Sequence, residues 1–379
     1  RPADAADFNG TVLVEWLNVS SGGDAAPDFT YMAPEILRGY AWVGMSVQHI
    51  GVEGGEVAVS TGIEGTGAGL GLKGIDPERY GDLSHPGDAF SYDMYTQVAR
   101  ALRDPGDVDP LDGLDVETLL VVGESQSAFA LTTYANGVQP LARAYDAFLV
   151  HSRGGAPLPL GEPGAGIGIA QAIGGTPTVI RDDLDVPTLI VQTEGDVLGV
   201  LGYLSARQPD SDTVRLWEVA GAAHADLFQV DVGADFLECP TPINDSQQTF
   251  VLRAALRHLT TWATGGDAPP EAPRLDVDES GPEPAYVTDD NGNVTGGVRT
   301  PVVDAPTEVL SGLAADDASI ICLLLGSTTP LPADRLAELY PSPGDYDAAY
   351  EAATDEAIDA GFVLADDRDE VLADARPPA

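Results

Sequence analysis

Residues 119–130, LLVVGESQSAFA, take the chain from a short apolar run through a serine into a helix-forming segment. The apolar run at 119–122 is typical of a strand buried on both faces of a parallel sheet. The pattern Gly-x-Ser-x-small that follows is that of a nucleophile elbow, a strained turn that exposes a serine hydroxyl between strand and helix. Gly123 and Ser127 supply the small residues, although glycine is usual in the place of Ser127. Ser125 is therefore the candidate nucleophile.

Segments with strand and helix patterns alternate on both sides of this serine. Strands are predicted at residues 11–16, 41–47, 119–122, 147–151, 187–192 and 214–219. Helices are predicted at residues 33–38, 90–103, 126–135, 246–264 and 344–359. This alternation predicts an α/β fold, with a mostly parallel sheet and helices on both faces.

Three segments interrupt the alternation and decide the predicted domain organisation. Residues 51–88 are rich in Gly and Asp, which favours a long surface loop or insertion. Residues 152–178 are dense in Gly, Ala and Pro, so we interpret them as a cap or lid, or else as an ordinary surface excursion. A Pro-rich linker follows the last long core helix. We predict a core at residues 1–265 and a C-terminal extension at 266–379 packed on it, together forming one elaborated domain.

The candidate base is a histidine, because a serine hydroxyl becomes a useful nucleophile only when a neighbour takes its proton. Among the five histidines, His224 lies in a small-residue loop directly after the last predicted core strand. A loop at that place can bring an imidazole over the serine. The other histidines lie inside a helix, at strand ends or in a loop: His258, His49, His151 and His85.

The imidazole needs a carboxylate that holds its tautomer and stabilises its charged form. The strand at 187–192 is followed by the letters TEGD, which place two carboxylates at the sheet edge. Asp196 is preferred as the triad acid, and Glu194 is the alternative. The order Ser125, Asp196, His224 along the chain is that of α/β-hydrolases, not of chymotrypsin or subtilisin.

Backbone N–H groups are needed to hold the oxyanion of a tetrahedral intermediate. One donor is expected from Gln126, directly after the nucleophile. The second is expected from Asn18 or Val19, in the loop after the first strand.

The two cysteines, Cys239 and Cys322, either form a disulfide or stay as free buried thiols. Neither lies in a Cys/His cluster, so the sequence predicts no metal site. The chemistry expected of Ser125 and His224 needs no cofactor.

Several stretches also resemble large bacterial serine esterase-like proteins of the α/β-hydrolase superfamily. The matching stretches are FNGTVLVEWLNVSSG (8–22), DPERYGDLSHPGDAFSYDMYTQ (76–97), VVGESQSA (121–128), RLWEVAGAAHAD (215–226) and GNVTGGVRTP (292–301). The resemblance implies the α/β-hydrolase fold, with Ser125 as nucleophile and His224 as base. The resemblance leaves both Asp196 and Glu194 as candidates for the triad acid, because they lie in the same matching turn.

These observations predict a hydrolase of small carboxylic esters that acts through an acyl-enzyme. The alternatives are acyl transfer or amide cleavage at the same site, and a non-catalytic binding protein on a hydrolase scaffold. An extracellular or periplasmic location is expected, with the cytoplasm of a salt-accumulating cell as the alternative. The sequence leaves the oligomeric state open.

The charge balance is strongly acidic, with 18 Lys and Arg against 61 Asp and Glu and a formal net charge of −43. Phosphate backbones and anionic membranes would be repelled, which argues against nucleic-acid and lipid-surface partners. The acidic residues are scattered rather than gathered at one place. We therefore interpret them as the hydrated surface of a salt-adapted protein.

We expect folding and activity to tolerate or require molar salt, because counter-ions screen the mutual repulsion of the acidic side chains. Dialysis into low-salt buffer should lower the melting temperature and the rate of ester cleavage. Thermal unfolding and turnover measured across a salt series test this. Full activity with an unchanged melting temperature after salt removal would contradict the expectation.

Overall fold

Six strands form the central sheet of the computed structural model, in which residues 1–60, 67–315 and 317–378 are described. The strands are β1 (Thr11–Trp16), β2 (Ala41–Met45), β3 (Thr118–Glu124), β4 (Ala147–His151), β5 (Thr188–Thr193) and β6 (Val214–Val219). They run parallel in the order β2-β1-β3-β4-β5-β6. Every residue of β1, β3 and β4 is buried, as expected for apolar strands covered on both faces. The predicted α/β class is confirmed.

Two short antiparallel ribbons and a series of helices complete the described fold. The ribbon strands are β7 (Val277–Asp278) with β8 (Ala285–Tyr286), and β9 (Glu308–Ser311) with β10 (Ser327–Pro330). The helices are α1 (Pro27–Ile36), α2 (His49–Glu53), α3 (Gly71–Ile75), α4 (Pro77–Tyr80), α5 (Ser91–Arg103), α6 (Gln126–Thr133), α7 (Gln139–Ala142), α8 (Glu194–Leu198), α9 (Leu227–Val230), α10 (Gln248–Ala263), α11 (Pro301–Asp304), α12 (Ile320–Leu324), α13 (Ala333–Leu339), α14 (Pro343–Asp359) and α15 (Arg368–Ala373).

Two of the predicted elements are wrong in position or kind. The helix predicted at 33–38 is α1, which begins at Pro27 because proline fits the first turn of a helix, where its missing N–H needs no partner. The segment predicted as a long loop at 51–88 contains α3 and α4, which are too short to show a hydrophobic period. Part of that prediction, residues 61–66, falls outside the described residues.

The chain divides into two compact units. The first unit comprises Arg1–Ile190, Tyr203–Arg215 and Arg257–Ala268. Inside it, the ring of Tyr95 packs against Trp16, Tyr134 and Tyr145 with centroid distances of 4.9, 5.7 and 5.0 Å. This aromatic cluster fills the space between α5 and the sheet.

The second unit comprises Val191–Gly202, Leu216–Leu256 and Pro269–Ala379. The C-terminal residues are therefore grouped with two segments of the predicted core at residues 1–265. Inside this unit Cys239 and Cys322 form a disulfide, with Cα atoms 5.5 Å apart and a sequence separation of 83. Cross-links that close loops of this size contribute about 2–5 kcal/mol to stability. The disulfide therefore holds the segment after His224 against the C-terminal residues.

Among the described residues, no helix is both long and apolar enough to cross a membrane.

Candidate active site

Ser125 occupies the junction between β3 and α6 in a strained main-chain conformation, with φ 57° and ψ −124°. A residue with a side chain rarely adopts positive φ, and such strain is typical of functional turns. Two main-chain hydrogen bonds hold the turn. The N–H of Ser125 donates to the carbonyl of His151 at 3.1 Å, and its carbonyl accepts from the N–H of Phe129 at 3.1 Å. The structure therefore places Ser125 at a sharp strand-to-helix turn.

Steric packing explains why small residues flank this turn. A Cβ atom added to Gly123 would lie 2.9 Å from Cβ of Ser127 and 3.0 Å from Cδ1 of Leu131. Real side chains do not tolerate such contacts, so α6 can approach β3 only because residue 123 is glycine. Ser127 is fully buried and still fits in the place where glycine is usual.

The two residues proposed as the second oxyanion donor differ in their hydrogen bonds. The N–H of Asn18 donates to the carbonyl of Ala25 at 2.9 Å, so it is already used. Among the described residues, neither the N–H of Val19 nor that of Gln126 has an acceptor. The side chain of Asn18 instead donates to the carbonyl of Glu124 at 3.0 Å, which fastens the loop to the residue before Ser125. Of the three N–H groups predicted as oxyanion donors, those of Val19 and Gln126 therefore have no acceptor within the described residues, and their role stays a prediction.

In the second unit, the structure pairs His224 with Asp196. Nδ1 of His224 lies 2.6 Å from Oδ1 of Asp196, and both side chains are buried. The other carboxylate oxygen, Oδ2, accepts from the N–H and the hydroxyl of Thr193 at 2.7 and 2.8 Å. With Oδ2 used in this way, Oδ1 is directed to the imidazole. A proton on Nδ1 then leaves Nε2 as the basic nitrogen.

Glu194, the alternative acid, is used differently. Its Oε2 accepts from the N–H of Gly221 at 2.9 Å, and its Oε1 accepts from the N–H of Gly312 and the hydroxyl of Ser311, both at 3.0 Å. Within the described part of the chain, its carboxylate makes no hydrogen bond to His224. Burial raises the pKa of Glu194 to about 7, against the lowering effect of its hydrogen bonds.

The loop that carries His224 is held by residues that follow it in the chain. Gln248, at the start of α10, donates to the carbonyl of Ala223 at 3.2 Å and to Asp226 at 2.9 Å. Asn244 donates to the carbonyl of Gly221 at 2.8 Å. These hydrogen bonds fix the main chain on both sides of His224, which restricts the position of its imidazole.

A second buried His–Asp pair lies next to the elbow, and sequence analysis missed it. Nδ1 of His151 lies 2.9 Å from Oδ1 of Asp28, and both side chains are fully buried. Glu15 accepts from the N–H of Asp28 at 3.1 Å, and burial raises the pKa of both carboxyl groups. The two partners are 123 residues apart, and Asp28 looks like an ordinary first-turn acid of α1, so no local signal pointed to the pair.

The segment at 152–178 is tied to the elbow inside the first unit. The carbonyl of Ile167 accepts from Nε2 of Gln126 at 3.1 Å, and its N–H donates to Asp88 at 2.7 Å. The N–H of Leu158 donates to the carbonyl of Phe129 in α6 at 2.9 Å. The segment thus packs on Gln126, the residue after Ser125, and its role as a lid stays a prediction.

His85 uses both ring nitrogens, since Nε2 donates to the carbonyl of Val47 and Nδ1 accepts from the N–H of Gly87. In the described ranges, no group of three or more His, Cys, Asp or Glu side chains could hold a metal ion.

A serine turn between a buried strand and a helix, in a parallel sheet, defines the α/β-hydrolase class of fold. The family model described as "Alpha/beta hydrolase domain" matches residues 1–373, and the chain belongs to that family. A comparison with curated proteins found no match. The predicted superfamily and fold are thereby confirmed, and the chain has a hydrolase-type scaffold.

Proposed function

We propose that this protein is a serine hydrolase that cleaves small carboxylic esters through an acyl-enzyme. The observation that carries the proposal is the strained main chain at Ser125, between β3 and α6. Strain of this kind persists at functional sites, where it presents a side chain for chemistry. The His224–Asp196 pair supports the proposal, because it is the base and carboxylate that a serine nucleophile needs.

In the proposed reaction, the hydroxyl oxygen of Ser125 attacks the ester carbonyl while Nε2 of His224 takes its proton. The tetrahedral intermediate collapses, the alkoxide leaves, and His224 returns the proton so that the alcohol departs neutral. Water then attacks the acyl-enzyme with the same help from His224. The acid is released and Ser125 regains its proton, so atoms and charges balance over the cycle.

Two interactions lower the barrier in this scheme. Asp196 keeps the proton on Nδ1 of His224 and stabilises the imidazolium that forms. The N–H groups of Val19 and Gln126 would receive the negative charge of the oxyanion. The remaining chemistry needs no metal or cofactor, since His224 supplies both proton transfers.

The disulfide and the net charge support a proposed location and substrate class for the protein. A disulfide persists in oxidising surroundings, so the Cys239–Cys322 bond supports an extracellular or periplasmic location. The net charge of −43 supports a neutral or cationic small-molecule substrate rather than an anionic polymer.

Labelling with a fluorophosphonate probe tests the proposal directly, because the probe reacts with a serine only where a base has activated it. We expect one adduct per chain, located at Ser125 by peptide mapping, and no adduct in Ser125→Ala. Hydrolysis of short-chain nitrophenyl esters should disappear in the same variant.

Ser127→Ala is the matched control. Ser127 is a buried serine two residues away, and among the described residues its hydroxyl has no hydrogen-bond partner. The variant keeps the Cβ atom that packs against Gly123, so it should be labelled and active. An unlabelled wild-type protein, or an adduct that persists in Ser125→Ala, would show that the elbow is not catalytic.

A further inference from the structure

One buried acid beside the His224–Asp196 pair has no part in the proposed proton transfers. Glu194 is 1% exposed, it begins α8 two residues before Asp196, and its carboxylate accepts three hydrogen bonds. Burying a carboxylate is costly unless it is well bonded, so a side chain kept in such a place has a structural or functional reason.

The three donors belong to two segments that are far apart in the chain. Gly221 lies in the loop that carries His224, two residues after the end of β6. Ser311 is the last residue of β9 and Gly312 follows it, in the C-terminal part of the chain. The carboxylate of Glu194 is therefore the link between the turn that holds Asp196, the loop that holds His224 and the C-terminal residues.

The main chain around this link is packed without space for adjustment. A Cβ atom added to Gly195 would lie 2.8 Å from both the carbonyl oxygen of Gly312 and the main-chain nitrogen of His224. The N–H of Gly195 also donates to the carbonyl of Ala222 at 3.2 Å. A shift of the Glu194 carboxylate would therefore be transmitted directly to the main chain at His224.

We infer that Glu194 is a positioning residue, whose ionised carboxylate draws the His224 loop and the 311–312 segment together and so holds the imidazole against Asp196. The inference rests on the proposed function of His224 as the base. It assigns a role to a side chain that does not touch the reacting atoms.

The link is sensitive to protonation. Two of the three donors are main-chain N–H groups, which cannot accept a hydrogen bond, so a neutral Glu194 can donate only by reversing its bond with Ser311. Burial raises its pKa from 4.5 to about 7, and Tyr286 is an ionisable side chain that interacts electrostatically with it. The hydroxyl of Tyr286 donates to the main-chain carbonyl of Glu194, and burial together with the charge of Glu194 raises the pKa of Tyr286.

The sign of the pH effect follows from this shift. A carboxyl group whose pKa is raised on folding favours the folded state at low pH, and this contribution is lost as pH rises from 4.5 to about 7. Ionisation of Glu194 thus costs stability while it completes the link to Gly221. Turnover should therefore depend on the deprotonation of Glu194 as well as on that of the base His224.

The test is Glu194→Gln, which keeps the volume of the side chain but replaces one acceptor oxygen by an NH₂ group. That NH₂ group would face a main-chain N–H, and two donors cannot form a hydrogen bond with each other. We expect kcat to fall about 10- to 100-fold, the loss typical of a displaced catalytic group, while KM changes little. The acid limb of log kcat against pH should change in slope from about two to about one. The NMR signal of the proton on Nδ1 of His224 should shift or broaden.

Glu218→Gln is the matched control, since Glu218 is a buried glutamate of β6 that accepts from the N–H of Leu275 at 2.8 Å. It should leave the His224 signal unchanged, so that a general loss of stability is told apart from a positioning effect. If Glu194→Gln does not fold, Ser311→Ala removes one of the three donors to Glu194, together with the acceptor of the Leu313 N–H, and should shift the same signal by a smaller amount. An unchanged His224 signal and pH slope in the folded variant overturns the inference. Because the NMR readout needs no turnover, an inactive wild-type protein would refute the proposed function separately.

Discussion

Replacing Asp196 with asparagine should lower kcat by about 10⁴-fold with little change in KM. Oδ2 of Asp196 accepts from the N–H and the hydroxyl of Thr193, whereas Oδ1 faces Nδ1 of His224 at 2.6 Å. In the variant, the amide oxygen will satisfy the two Thr193 donors, and the NH₂ group will then face Nδ1. His224 would be held with its proton on Nε2, where it cannot accept the proton of Ser125.

Asp28→Asn is the matched control for this experiment, because it changes a second buried aspartate that bonds to a histidine ring. It should lower the melting temperature, since a buried network is disturbed, without a comparable loss of turnover. Steady-state kinetics on a nitrophenyl ester, with thermal unfolding of both variants, make the comparison. The reverse result, with turnover lost in Asp28→Asn and kept in Asp196→Asn, would transfer the role of base to His151.

The sequence predicts well those features whose signal lies in a short stretch of consecutive residues. The strand–serine–helix stretch at 119–130 shows its strand, its small residues and its helix within twelve letters of sequence, and β1, β4 and β6 have the predicted bounds. A continuous apolar run bounded by turn residues is a strong local signal for a buried parallel strand. The class of fold follows from a few such signals in alternation.

The features that the sequence could not settle depend on three-dimensional direction. Glu194 and Asp196 follow the same strand and are two residues apart, so both were open as the triad acid. The two carboxylates point to different partners in the first turn of α8. The N–H of Thr193 donates to Asp196, whereas the N–H of Gly221 donates to Glu194. Asn18 and Val19 were inseparable for the same reason, since only the bond from Asn18 to Ala25 distinguishes their N–H groups.

Replacing Val19 with proline should lower kcat by about 10²- to 10³-fold, the usual cost of removing one oxyanion donor. Proline has no N–H, and it favours an extended conformation in the residue before it. Asn18 already pairs with Ala25 as an isolated antiparallel bridge, so the extended conformation is compatible with the loop. The other donor, the N–H of Gln126, stays in place and should leave measurable turnover.

Val19→Ala is the matched control, because it shortens the same buried side chain but keeps the N–H. It should lose stability through the smaller side chain and keep most of its kcat. A boronic acid, which mimics the tetrahedral intermediate, should bind Val19→Pro more weakly than wild type, whereas the affinity for the product acid should change little. Equal boronate affinity and equal kcat in the proline variant would place the second oxyanion donor elsewhere in the loop. A parallel loss of product affinity would instead mean that the loop holds substrate and intermediate alike, in which case KM should rise as kcat stays unchanged.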